Sequence, residues 1–185
     1  MDPEGGVRAR RSSSTLTPPL TIRAAVDDDL DGLVVLLARC VAAMRAAGIE
    51  QWDDIYPNRR VLAADIAARA MHVGVLAGSI AGIVVLNEYQ DPEYADVPWT
   101  FAKGPVAVVH RLMIDPTHQQ HGLARELMAF VEHEARRRGY AAIRLDAFTQ
   151  NPRALRLYQG LGYRDAGGIQ LRKGAFRCFE KGLRT

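Results

Sequence analysis

The residues best placed to do chemistry form one short run, Gln119-Gln120-His121-Gly122-Leu123-Ala124-Arg125. Before it, Val106 to Val109 and Leu112 to Ile114 are apolar. Asp115-Pro116 ends that stretch, since a strand does not continue normally through a residue without an N–H. After it, Leu123, Leu127, Phe130 and Val131 recur at helical spacing, with Arg125, Glu126, Glu132 and His133 between them. The reading is strand, tight loop, helix, with Gly122 at the joint. A helix start offers free N–H groups and the positive end of the macrodipole, and a glycine there lets an anion come close to the backbone. The chemistry expected is phosphate binding. A P-loop is excluded because Gly-Lys-Ser/Thr is missing, and a dinucleotide fingerprint because the first glycine of G-x-G-x-x-G is absent.

Other residue types could move protons or hold a cation. His110 lies near the entry to the central strand, on the same alternating face as Leu112 and Ile114, and histidine has the unperturbed pKa for a base. A strand histidine is also a common structural residue. Asn151-Pro152 is a good helix start, with Asn as N-cap and Pro at N1, and it opens a short helix carrying Tyr158. Trp52, Asp53, Asp54 and Tyr56 set acids beside aromatics in a loop. That composition suits a cationic amine, and the aromatics equally suit pinning the loop to the core.

Three of these stretches recur together in one family. Gln119-x-x-Gly122-x-Ala124, the strand Ile143-Arg144-Leu145-Asp146, and Asn151 followed seven residues later by Tyr158 and then Gly162-Tyr163 resemble the GNAT superfamily of N-acetyltransferases. The resemblance is sharp over residues 106–165 and looser over 20–105. It implies an α/β GNAT fold, a mixed and mostly antiparallel sheet of about seven strands flanked by helices. It implies acetyl-CoA as acyl donor, no metal, and direct transfer of acetyl to an amine, which needs no nucleophilic cysteine. By the same resemblance the pyrophosphate lies on backbone N–H groups from Gln120 to Arg125, across His121, Gly122, Leu123 and Ala124. Arg125 adds charge. The pantetheine arm runs beside Leu112-Met113-Ile114, a backbone N–H near Leu112 polarises the thioester oxygen, and Asn151 contacts the pantetheine. Tyr158 becomes the general acid. Asp146 falls where some relatives carry an acid, so the base stays open between Asp146, His110 and an ordered water. The segment between the first two helices borders the acceptor site in that family, which makes Trp52, Asp53 and Tyr56 candidate substrate contacts. The expected acceptor is a small-molecule amine or a peptide. The alternative is a non-catalytic acyl-CoA-binding sensor or regulatory module. Dimers are frequent in the family, which leaves a homodimer open.

The elements that must hold these residues follow in order. Residues 1–19, with Arg10-Arg11, Ser12 to Ser14 and Pro18-Pro19, read as a disordered tail. Residues 20–185 read as a single domain. Leu20 to Ala25 is a first strand. Asp27 to Asp29 caps a helix with an apolar stripe of Leu30, Leu33, Val34, Leu37, Val41 and Met44. Asn58 caps a second helix. His72 to Leu76 and Ile80 to Leu86 form a hairpin turned at Gly78. An aromatic insert spans 87–105, longer than a hairpin connection needs, and is expected to be ordered. The central unit, the Tyr158 helix and two final strands complete β-α-α-β-β-β-α-β-α-β-β.

Composition narrows the class. Apolar residues make up 48% and charged residues 24%, which fits a globular chain. The net charge of +3 is too small and too dispersed to argue for nucleic acid. Cys40 and Cys178 are far apart and have no metal spacing, so they read as core thiols in a reducing cytoplasm. No membrane-spanning run and no secretory h-region is present, so the expected location is cytoplasmic and no membrane partner is expected.

Overall fold

The computed structural model describes residues 19–101 and 103–183. All but the last residue of the 1–19 tail lies outside the described residues. The chain runs β1 (Thr21–Ala24), α1 (Leu30–Ala46), α2 (Arg59–Ala67), β2 (Met71–Leu76), β3 (Ser79–Asn87), β4 (Val106–Ile114), α3 (Leu123–Arg137), β5 (Ala142–Phe148), α4 (Pro152–Gly160), β6 (Arg164–Leu171) and β7 (Gly174–Gly182). This is the order the sequence pattern predicts. The strands form one seven-stranded sheet in the order β1-β2-β3-β4-β5-β7-β6. Every neighbouring pair is antiparallel except β4 and β5.

The helices bury one face each, as their apolar spacing demands. In α3, Leu123, Leu127, Val131 and Ala135 repeat every fourth residue and are buried against the sheet. Leu127 is fully buried, which stabilises the fold by about 1.5–3 kcal/mol relative to exposure. Glu134 meets Arg137 and Arg138 three and four residues on, a spacing that brings helical side chains together. On the opposite face, Leu33, Leu36, Leu37 and Cys40 of α1 pack with Leu62 and Ile66 of α2 over Val73, Ile83 and Met113. Cys40 is buried among them, as expected of a core thiol.

Two irregularities shape the site. The parallel pairing of β4 with β5 covers only Val106–Val108 against Ala142–Arg144. Beyond that the strands part, and β4 runs on to Ile114 without its β5 neighbour. The second irregularity is a bulge. Val85 pairs with His110 but Ile83 pairs with Met113, so β4 carries one extra residue, and Arg111 takes a left-handed φ of 46°. The bulge corrects one expectation. Ala107 and Val109 pack with Leu112 and Ile114 in the α3 cluster, whereas Met113 packs under α1. Simple alternation therefore fails, and His110 falls on the opposite side of the strand from Leu112 and Ile114.

The 87–105 insert is ordered and turned inward for most of its described length. Tyr94, in a short helical turn, and Val97 are buried with Val108, Ala166 and Cys178, and Trp99 packs against them. The fully buried Glu180 of β7 accepts hydrogen bonds from the Thr100 N–H at 2.8 Å, the Phe101 N–H at 3.2 Å and Arg164 at 2.8 Å. Burial raises its pKa, yet these donors together hold it below the usual range.

Candidate active site

Where β4 and β5 part, a cleft of about 1610 Å³ opens. That exceeds the roughly 300–1,000 Å³ of a pocket for a drug-sized ligand. The start of α3 forms one end. Asp115 terminates β4 by accepting the Thr117 N–H at 2.9 Å and the Thr117 hydroxyl at 2.6 Å. The chain then turns through Gln120 at φ 70° and Gly122 at φ 85° into α3. A side chain at Gly122 would meet open space, so conformation and not room selects glycine there. The first helical acceptor is the Gly122 carbonyl, taken by the N–H groups of Arg125 at 2.8 Å and Glu126 at 3.1 Å. The N–H groups of Gly122, Leu123 and Ala124 have no acceptor among the described residues. They form an anion cradle of the kind expected at a helix start.

Of the predicted cofactor residues, Gln119, Gln120, Gly122, Leu123, Ala124 and Arg125 line the cleft, and His121 does not. Gln119 is occupied structurally. Its oxygen accepts from Arg153, and its amide donates to the Ile114 carbonyl at 3.4 Å. Leu112, Met113 and Ile114 also line the cleft, though the Met113 side chain is buried under α1. Arg125, Arg153 and Arg156 face this end, and none is ion-paired among the described residues. This end of the cleft is positively charged.

Asn151 and Tyr158 lie further in. The Asn151 side chain caps α4 by accepting the Ala154 N–H at 3.2 Å and donates to Gln51 at 3.2 Å. Tyr158 is buried between the rings of Tyr163 and Phe179, with centroids 6.0 and 5.9 Å away. Its hydroxyl has no hydrogen-bond partner among the described residues, and the side chain lines the cleft. Burial, with Asp146 nearby, pushes its pKa well above the ordinary tyrosine value, so it keeps its proton at neutral pH.

The two candidate bases differ. Burial pushes Asp146 up to about 6; the Tyr94 hydroxyl, donating to its Oδ2 at 2.7 Å, opposes the shift, and Asp91 adds to it. Burial and then Arg111 push His110 down to about 4, partly offset by the Tyr89 carbonyl 3.1 Å from Nε2. The cysteines are not nucleophiles. Burial raises both thiols to about 12, and Cys40 donates to the Ile114 carbonyl at 3.4 Å.

At the acceptor end, Trp52 and Tyr56 reach the cleft and Asp53 does not. Asp53 instead holds Arg172 at 2.8 and 2.9 Å and Lys173 at 3.4 Å, which ties its loop to the β6–β7 turn. The Arg172 pairing keeps its carboxyl far below the usual range. So engaged, the Asp53 carboxylate fastens its loop.

Several residues of this end carry no sequence signal. Asp65 of α2 pairs with Arg111 of the bulge in two hydrogen bonds, at 2.8 and 2.6 Å, and Arg111 also bonds the Tyr56 hydroxyl. Both charged side chains are buried, so their charges cancel in the wall. Asp65 and Arg111 are 46 residues apart, as are no motif's members, and only the folded sheet brings them together. Tyr94 is legible as one aromatic of the insert, but its contact with Asp146 is not. Asp91, Glu93 and Asp146 line the cleft here, as do the cations Arg172 and Lys173 that Asp53 holds.

Among the described residues no three metal-binding side chains gather in a way that could hold an ion, and no helix is long and apolar enough to cross a membrane.

Comparison with known proteins places this architecture. An acetyltransferase of the GNAT family from Streptococcus agalactiae superposes with a TM-score of 0.81 at 22% identity, covering 92% of this chain and 99% of that one. The yncA structure from Salmonella typhimurium, determined with its cofactor acetyl-CoA, gives 0.67 at 19% identity over 89% of this chain and 94% of that one. The ribosomal protein bS18-alanine N-acetyltransferase of Escherichia coli strain K12 is 33% identical over 60 residues, which are 32% of this chain and only 40% of that protein. Residues 36–163 match the family described as Acetyltransferase (GNAT) family. With most of its length inside that match, the chain belongs to the GNAT acetyltransferase family.

Proposed function

We propose that this protein is an N-acetyltransferase that moves an acetyl group from acetyl-CoA directly to an amine. One observation carries the reading. The gap between β4 and β5 joins an anion cradle at the start of α3 to a tyrosine that holds its proton and a carboxylate that titrates near neutrality. The residues fit the coenzyme: free N–H groups at Gly122, Leu123 and Ala124 for pyrophosphate, three unpaired arginines at the mouth, and an unpaired stretch of β4 for the pantetheine amides.

Acetyl-CoA, when bound, supplies an activated thioester. The protein supplies position and proton traffic. A backbone N–H near Leu112, a residue that lines the cleft, would polarise the carbonyl oxygen. The Asn151 amide, already fixed by Gln51 and by the helix cap, would orient the pantetheine. Asp146 takes the proton that the attacking amine loses. Its pKa of about 6 suits that task near neutral pH better than that of His110, at about 4. Tyr158 gives its proton to the departing sulfur.

The three carboxylates Asp91, Glu93 and Asp146 in the cleft wall favour a small-molecule amine, with Arg172 and Lys173 lining the same cleft. A peptide amino terminus is the second reading, favoured by the match to the bS18-alanine enzyme. A panel of diamines, amino acids and short peptides, incubated with acetyl-CoA and followed by thiol release and acceptor mass, tests the reading. Acetyl gain on an amine supports it. Coenzyme binding without transfer to any member would favour an acyl-CoA-sensing module instead.

A further inference from the structure

The insert between β3 and β4 touches the proposed chemistry at one point. The Tyr94 hydroxyl donates to Asp146 Oδ2 at 2.7 Å, and no other hydrogen bond to the Asp146 carboxylate exists among the described residues. We propose that Tyr94 is a positioning residue for the base: it fixes one carboxylate oxygen and leaves the other facing the cleft to take the acceptor's proton. This rests on Asp146 being the base of the proposed transferase.

The bond is not what holds the insert in place. Thr100 and Phe101 are fastened by the buried Glu180. Arg144 donates to Gln90 at 2.6 Å and to the Phe101 carbonyl at 3.1 Å, and its guanidinium lies 4.3 Å from the Trp99 ring centre. The Trp99 indole donates to the Tyr94 carbonyl at 2.9 Å, and the two rings pack 5.2 Å apart. Tyr94 is therefore fixed through its main chain and ring. Its hydroxyl is aimed at Asp146 by contacts that would survive the loss of that hydroxyl. A phenol fastened on one side only of the carboxylate also limits rotation of Asp146 about its own side-chain bond, which long or mobile partners would not do.

The charge environment of Asp146 is short to describe. From the insert come Tyr94 and Asp91. From β7 comes Cys178, its register partner, and from α4 comes Tyr158. Arg144, two residues back along β5, is turned to Trp99 and Gln90. Tyr94 is the one group here that stabilises the ionised carboxylate by a hydrogen bond, while Asp91 and burial oppose it. Burial and Asp146 itself raise the Tyr94 pKa far above the ordinary value, so Tyr94 keeps its proton while Asp146 cycles. A cationic amine first loses one proton to solvent; on attack its second proton moves to Asp146 while Tyr158 protonates the departing sulfur, the proton on Asp146 then restores Tyr158, and Tyr94 neither gains nor loses one.

Tyr94→Phe removes the donor and keeps the packed ring. The ionised form of Asp146 then loses support, so its pKa rises. A hydrogen bond to a charged group corresponds to a shift of about one to two pH units. Two readouts are taken together: the titration midpoint of the Asp146 carboxyl, followed by NMR with Asp146→Asn to assign it, and the acid limb of kcat/KM. Gln90→Ala serves as control, because it removes the Arg144 contact to the insert and touches neither Tyr94 nor Asp146. The expected result is that both midpoints move up by about one to two units in Tyr94→Phe and stay in Gln90→Ala. An unmoved carboxyl midpoint in Tyr94→Phe, or an equal shift in both variants, overturns the inference. A carboxyl that moves while the acid limb stays removes Asp146 as the base. The NMR titration needs no acceptor, so failure of the transferase reading and failure of the positioning role give different results.

Discussion

The two ends of the cleft present their polar groups by different means. At the α3 end the groups are main-chain N–H donors of Gly122, Leu123 and Ala124, set by one turn of backbone. At the acceptor end they are side chains from the loop after α1, from α2, from the insert and from β4. Several of the charged side chains there are already engaged: Asp65 with Arg111, Arg172 with Asp53 behind the wall, and Asp146 with Tyr94 of the insert. A backbone site depends on conformation and tolerates varied side chains. A side-chain site depends on a network, and each member's loss exposes its partner. The coenzyme end is therefore generic and the acceptor end individual, which is where a transferase's choice of substrate must lie.

The largest expected effect tests whether the two ends meet at one reacting centre. Tyr158→Phe should lower turnover by about 10²–10⁴-fold and leave acetyl-CoA affinity nearly unchanged. Its hydroxyl makes no hydrogen bond to the described protein, so stability should hardly move. Normal turnover would reduce Tyr158 to a core residue.

Next in size is the network itself. Asp65→Ala leaves the buried Arg111 unpaired at the bulge, which should destabilise the fold by about 3–5 kcal/mol. Denaturant unfolding measures it, and replacing Arg111 with Met in the same chain should recover much of the loss. A negligible change would mean that the bulge does not depend on the pair.

Asp146 offers a test with the opposite sign. Its pKa is raised from 3.8 to about 6, so the folded state disfavours the ionised form. That cost is absent below the unfolded value and fully present above pH 6. At neutral pH Asp146→Asn should therefore stabilise the protein, by up to about 3 kcal/mol, while depressing turnover. In the wild type, turnover should fall as pH drops through 6, because the base becomes protonated. A destabilised Asn variant would contradict this account of the site.

The smallest effects separate Trp52 from Asp53. Trp52→Ala should weaken acceptor use several-fold and spare coenzyme affinity, because Trp52 borders the cleft. Asp53→Asn should change acceptor kinetics little, because Asp53 faces Arg172 and Lys173 instead. Equal losses in both would show that the loop acts as a unit.

The contrast between the two ends also explains what could be read in advance. Gly122, Asn151, Pro152 and the helical repeat of Leu123, Leu127 and Val131 act within a few residues of chain, so spacing alone reveals them. The element order follows from the same local patterns. Simple alternation misplaces His110 because the extra residue at Arg111 breaks a period of two, and nothing in Val-His-Arg-Leu announces a bulge. An acid beside aromatics has the composition of an amine receptor, and the sequence does not announce that Asp53 pairs with Arg172 and Lys173, about 120 residues away. The bonds Asp65–Arg111 and Tyr94–Asp146 are likewise long-range, and no periodicity records them.

The central claim is that acetyl-CoA is held through the backbone at the start of α3. Calorimetric titration of acetyl-CoA into wild-type protein and Gly122→Val tests it most directly, with thermal melting to confirm that the variant is folded. The left-handed φ of 85° at Gly122 disfavours valine strongly, although the space around it is open. A folded variant must therefore reshape the cradle. The account predicts saturable binding to the wild type and none measurable in folded Gly122→Val. Equal affinity in the two proteins would contradict it.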